Sequence, residues 1–254
     1  MDTDKILHLV TYAGQIMLEN GAETYRVEET MKLICNSYKI FNTDIFVIPT
    51  TIIISVSFDS GQTLTKVKRI ENRTVDLDKV SKVNELSRKI CANHLPFNII
   101  EETLDSINSN NKYSNIMQVF AFSIVAGFFT LFFGGTIKDF FVSLFIGSLL
   151  QIISLRLSQI ETNAFFVNIL CGSLTTFIAY FSTTIGFGNS MNKIIIGSLM
   201  PLVPGLSITN AIRDIIAGEL VAGLSKLIEA FLIAAAIAIG AGITLSLGIN
   251  FLER

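Results

Sequence analysis

From residue 116 onward the chain repeats one pattern five times, an apolar run bounded by polar or glycine-containing breaks. The runs are Ile116–Phe133, Phe140–Leu155, Phe165–Ile185, Ile194–Ile208 and Leu227–Ile249. A helix needs roughly 20 apolar residues to cross a bilayer, and in lipid every backbone amide and carbonyl must be paired within its own segment. These runs therefore read as transmembrane helices at about 116–135, 138–157, 164–185, 192–208 and 226–250 of a membrane domain covering residues 113–254. The second and fourth runs are short and need flanking residues or a tilt. A re-entrant fourth segment, leaving four spans, is the other arrangement their lengths permit.

Composition divides the chain at the same place. Of its 254 residues 50% are hydrophobic and 16% charged, but residues 1–115 hold 13 of the 19 Lys and Arg and 15 of the 21 Asp and Glu. Residues 1–112 thus read as a water-soluble α+β domain. Ile6, Leu7, Leu9, Val10, Ala13, Ile16 and Met17 recur at helical spacing up to an Asn20-Gly21 stop, and a second helix is expected from Glu23 to about Tyr38. Asp44–Pro49, Thr51–Phe58 and Thr63–Arg69 are rich in β-branched and aromatic residues, and Asp59-Ser60-Gly61 separates the last two as a hairpin turn would. A helix from Asp76 to before Pro96 and a short one around Ile99–Ile107 follow. Asn108–Lys112 is a polar linker into the membrane sequence.

Charge narrows the function classes. A net charge of −2 leaves no basic stripe, and Lys66-Val67-Lys68-Arg69 is followed within two residues by Glu71, so nucleic acid is not an expected partner. Cys35, Cys91 and Cys171 lack the paired spacing of a zinc site or disulfide framework. The first twenty residues carry Asp2, Asp4, Lys5 and Glu19 and no continuous apolar core, so the N-terminal domain is expected in the cytoplasm of a multi-pass plasma-membrane protein. With that orientation Lys112, Arg156, Arg213 and Lys226 fall on cytoplasmic ends, against Lys138, Lys193 and Arg254 outside. Five spans then put the C-terminus outside.

The densest chemical signal lies around the fourth run. Pro201, Pro204 and Gly205 interrupt it, and broken backbone at membrane depth survives only where protein or a water-filled cavity surrounds it. A simple helix end with a kink is the competing reading. Asn210, Arg213 and Asp214 follow at i, i+3 and i+4, one polar face of a helix. A forked guanidinium suits a carboxylate, so Arg213 is a candidate to hold an anionic substrate group and Asp214 to orient it or take up a proton. A solvated loop pair is the alternative. Glu229 is a coupling candidate should it face a bundle interior. Gln151 and Asn168 are weaker candidates to line a path. Gly240, Gly242, Ala234–Ala236 and Ala238 form a small-residue face suited to close helix packing.

In the soluble half, Glu23, Arg26 and Glu29 repeat at i, i+3 and i+6, with Glu28 beside them. This reads as a salt-bridged helix start. His8 and His94 are isolated, and no Ser, Cys or His nucleophile accompanies the carboxylates, so no catalytic residue, metal site or cofactor is assigned. Gly186-Phe187-Gly188 lacks the strand context of a dinucleotide fold, and no phosphate-loop pattern occurs, so nucleotide drive is not expected.

Three stretches carry a family resemblance: Asn20–Met31 (NGAETYRVEETM), the run from Phe46–Thr50 (FVIPT) through Asp76–Val80 (DLDKV), and Leu202–Asp214 (LVPGLSITNAIRD) continuing to Gly223. In these the chain resembles the threonine/serine exporter family, and within it the YjjP-type large subunit of the split, two-component form. The resemblance implies a cytoplasmic domain followed by about five spans, and a companion membrane subunit of about five more. It further implies export of a small carboxylate-bearing metabolite, threonine and serine or a succinate-like dicarboxylate. With this chain ending at Arg254, the second half is expected on the companion. After an odd number of spans that half would have inverted topology, and a homo-oligomer is a further arrangement. The alternative function is a membrane-anchored hydrolase. Activity suspected in such N-terminal domains would map onto Glu23, Arg26, Glu28 and Glu29.

Overall fold

The computed structural model describes residues 3–58, 61–93, 95–109, 113–158 and 163–252, with side chains to residue 248. The expected turn at Asp59-Ser60, His94, residues 110–112 of the linker, and Arg254 lie outside the described residues. The chain forms two compact units: Met1–Asn110 with Leu206–Ile228, and Asn111–Gly205 with Glu229–Arg254.

The first unit is α+β. Helices α1 (Thr3–Glu19) and α2 (Thr24–Ser37) precede strands β1 (Thr43–Ile48), β2 (Thr51–Ser57) and β3 (Thr63–Arg69), and α3 (Leu77–Asn93) and α4 (Phe97–Ser109) follow. The strands form an antiparallel meander in the order β1-β2-β3. Alternation puts Val47, Ile52, Ile54 and Val56 on one buried face, as the two-residue period of a strand requires. Against them pack Ile6, Val10, Ile16 and Met17 of α1 and Val27, Met31 and Ile34 of α2, with Val83 and Ile90 of α3 and Ile100 and Leu104 of α4 completing the core. The helix and strand limits differ from the sequence reading by one or two residues.

The second unit is helical: α5 (Asn115–Phe132), α6 (Ile137–Ser158), α7 (Ala164–Thr184), α8 (Met191–Leu199) and a 3-10 turn at Met200–Leu202. Ser114 caps α5 by accepting from the Met117 amide at 3.3 Å, and Asn163 caps α7 by accepting from Phe165 at 2.9 Å. The remaining helices are α9 (Gly205–Ala217), which lies in the first unit from Leu206 onward, and α10 (Leu220–Leu252), which contributes its beginning to the first unit and the rest to the second. Small residues set the packing distances. Gly147 of α6 lies where a Cβ would come within 2.8 Å of Ala126 on α5, and Gly197 of α8 abuts Thr130. Gly172 of α7 and Gly240 of α10 each face the other helix's backbone, at the carbonyls of Ile237 and Ile169. Of the expected small-residue face, Ala236 and Gly240 point inward, whereas Gly242 meets nothing and Ala234 and Ala238 are exposed. Buried hydroxyls bond across helices or back to carbonyls, Thr130 to Ser143 at 2.7 Å and Ser123 to the Leu144 carbonyl at 2.6 Å.

Four helices are long and apolar enough to span a membrane, and the bent pair Met191–Leu202 and Gly205–Ala217 makes a fifth if it counts as one span. Only 22–28% of each apolar window is buried. Phe120, Phe141, Phe145, Phe181 and Phe231 point outward, more apolar surface than water tolerates, and lipid is the solvent that suits it. The fourth run, expected at about 192–208 with a break or a kinked end at Pro201, Pro204 and Gly205, is bent there by 54°. Pro201 sits in the 3-10 turn, and Pro204 forces the preceding Val203 out of the helical region to φ −64°, ψ 126°. A new helix starts at Gly205 and runs nine residues beyond the expected end.

Candidate functional site

The turn between α1 and α2 is built by Asn20, whose side-chain amide donates to the Ile16 carbonyl at 2.7 Å, and by Gly21 at φ +90°, where a side chain would be strained. It delivers Glu23 in extended conformation to the N-terminus of α2, whose first amides have no helical partner and carry partial positive charge. Asp214 of α9 answers them. Its Oδ1 accepts from the Thr24 amide at 2.9 Å, and its side chain is wholly buried. Its Oδ2 accepts from Lys226 Nζ at 2.8 Å, and Lys226 also donates to the Ala22 carbonyl at 3.2 Å. Asn210, one turn before Asp214, donates to the Gly21 carbonyl at 2.9 Å.

Arg213 lies beside this pair rather than within it. Its Nη1 donates to Glu23 Oε1 at 2.7 Å while its side chain stays 57% exposed. Glu23 Oε2 also lies 3.6 Å from Arg26 Nε. Burial pushes the Glu23 carboxyl up, but its backbone hydrogen bond and the Arg213 and Arg26 guanidiniums outweigh this and hold it below the usual range. One turn further, half-buried Glu28 accepts from the Val47 amide at 2.7 Å. Its carboxyl is pushed up to about 7 by burial, with the Glu219 and Asp214 charges adding to the effect. Glu29 is exposed.

The other sequence candidates lie in the second unit. Pro201, Pro204 and Gly205 form the break after α8, and Glu229 is exposed on α10. Asn168 donates back to the Ala164 carbonyl at 2.8 Å, and Gln151 reaches Gln118 at 3.4 Å, so both are engaged in local or interhelical bonds. Among the described residues no group of three His, Cys, Asp or Glu could hold a metal ion.

Over residues 8–248 the sequence matches the family model described as "Putative threonine/serine exporter" (ThrE). The chain belongs to this family. No curated protein and no solved structure matches it. The match makes the chain a multi-pass membrane protein of an exporter family, and the matched span includes the α2 start, the broken α8 end and the α9 polar face together.

In this exporter-family chain the structure gives three residues roles that their spacing in the sequence does not show. Lys226, which the sequence offers as a charge at a cytoplasmic helix end, pairs with Asp214. Glu28, one of the four motif residues, is set apart by burial and by the hydrogen bond it accepts from Val47. Asp139, at the start of α6, is wholly buried and accepts from the Thr136, Asn189 and Ser190 amides, tying the α5–α6 and α7–α8 loops together. Its one sequence signal is an acidic residue in the first turn of an apolar helix.

Proposed function

We propose that this chain is one subunit of a secondary exporter that moves a small carboxylate-bearing metabolite, threonine or serine or a succinate-like dicarboxylate, out across the plasma membrane. A second membrane subunit completes the path, and residues 1–112 face the cytoplasm. The observation that carries the reading is the exporter-family match across nearly the whole chain, and the outward-facing apolar helices agree with it. Arg156, Arg213 and Lys226 fall at cytoplasmic ends in this orientation. The broken backbone at Pro201–Gly205 supplies the irregular segment from which transporters build substrate sites.

Arg213 is the group proposed to meet the substrate. It is mostly exposed and held by one carboxylate, so a substrate carboxylate can take the place of Glu23 on the guanidinium fork. Asp214, paired with Lys226 and capping α2, keeps α9 in register and is the proposed coupling carboxylate. The hydrolase alternative draws on carboxylates that are already engaged, Glu23 with Arg213 and Glu28 with the Val47 amide.

The test is efflux of labelled threonine, serine and succinate from loaded cells expressing the chain with and without its companion. Selective efflux that needs both subunits, and falls about tenfold or more with Arg213→Ala, is the expected result. Unchanged efflux from a correctly inserted Arg213→Ala chain removes Arg213 from the site.

A further inference from the structure

Away from α9, the first unit contains a second polar site. Helix α1 is buried on most sides, but His8, Thr11, Tyr12 and Gln15, at i, i+3, i+4 and i+7, form one polar stripe along it. The stripe floors an open groove of about 350 Å3 whose walls come from β3 and α4. The β3 wall is unusual. Lys66 pairs in register with Ile54 and Lys68 with Ile52, and both isoleucines are wholly buried, so the two lysines stand on the core side of an edge strand. The α4 wall presents Glu101 and Asp105, four residues apart on one face. Among the described residues, no ion pair joins these lysines to these carboxylates across the groove.

An inward lysine on an edge strand often serves only to block edge-to-edge association. That purpose does not call for two lysines, for two carboxylates on the opposite wall, or for a polar helix stripe between them. Two cations facing two anions also select among ligands. A phosphate or a dicarboxylate gains at the lysines and is repelled by Glu101 and Asp105, whereas a molecule carrying both charges gains at both walls.

We propose that this groove binds a free α-amino acid as its zwitterion. The carboxylate lies toward Lys66 and Lys68 and the ammonium toward Glu101 and Asp105. Tyr12 is positioned for this, since its hydroxyl donates to Asp105 Oδ1 at 2.8 Å and so fixes the carboxylate that receives the ammonium. Gln15, which donates to Glu19 at 2.7 Å, and buried Thr11, which donates to the Leu7 carbonyl at 2.6 Å, form the floor beneath a small side chain. The volume falls at the small end of ordinary ligand sites. The groove is separate from Arg213 and Asp214, so it is a sensing site rather than part of the proposed path.

Hydrogen–deuterium exchange of the purified full chain with millimolar L-threonine tests this. The expected result is slowed exchange in α1, β3 and α4, with binding weakened about tenfold or more in both Lys66→Met/Lys68→Met and Glu101→Gln/Asp105→Asn. Threonine methyl ester and N-acetylthreonine, each lacking one charge, are expected to protect the groove as weakly as the variants do, and succinate not at all. Equal protection by succinate or by the single-charge analogues, protection confined to α9, or unchanged binding in the α4 variant overturns the proposal. The α4 pair is exposed, so that variant reports on the groove even where the lysine variant misfolds. Loss of efflux with groove protection retained counts against the exporter reading alone.

Discussion

Glu28 makes the stability of the first unit depend on pH between about 4.5 and 7. Burial, reinforced by Glu219 and Asp214, lifts its carboxyl from 4.5 to about 7 despite the hydrogen bond from Val47. Between those values the folded chain keeps a proton that the unfolded chain has released. The stabilising contribution is therefore complete below about 4.5 and is lost as pH rises toward 7. Solvent screening at this half-buried site reduces the effect to about 1–2 kcal/mol. Glu28→Gln retains an acceptor for Val47 and removes the titration. The expected outcome is a smaller fall in Tm between about pH 5 and pH 7 for the variant than for the parent chain, measured by thermal unfolding in detergent. An identical fall in both assigns the dependence to other groups. That Glu28 differs from Glu29 was not legible in the sequence. Adjacent positions on a helix point about 100° apart, and which of them meets β1 is decided by packing.

Helix α9 inverts the pattern usual in water. Asn210, Ala211 and Asp214 are buried and Ile212 and Ile216 exposed, because its partner is the polar N-terminus of α2 rather than an apolar core. The spacing of Asn210 and Asp214 on one face was readable from sequence. Their partners, Gly21 and Thr24, lie about 190 residues away and were not. Glycine packing in α10 shows the same division. Gly240 and Gly242 are equivalent in sequence terms, but only Gly240 lies against another backbone, at Ile169. Gly240→Ala is expected to lower stability by about 1–3 kcal/mol through overpacking. Gly242→Ala is expected to be neutral or slightly stabilising, by less than about 1 kcal/mol, since alanine is the better helix former. Comparable Tm changes for the two variants in detergent would rule out the α7–α10 contact as the source of the difference.

For the whole molecule, the orientation proposed for the first unit has a direct chemical readout. Cys91 is exposed, whereas Cys35 and Cys171 are buried, and burial pushes the Cys35 thiol up to about 12, so it is unreactive in the folded chain. A membrane-impermeant maleimide is expected to label Cys91 in permeabilised cells or inverted vesicles and not in intact cells. Labelling in intact cells would place this unit on the outer face. The sequence by itself determined the membrane class, the positions of the apolar helices, the α+β elements of the N-terminal half and the family, because helix and strand periods, capping residues and runs of apolar side chains are local properties. Only the tertiary structure decided that α9 and the start of α10 belong with the first unit, that Lys226 is the partner of Asp214, and that two lysines of β3 face two carboxylates of α4. Those choices rest on burial and on pairing between segments far apart in the chain, which residue spacing along one helix or strand does not encode.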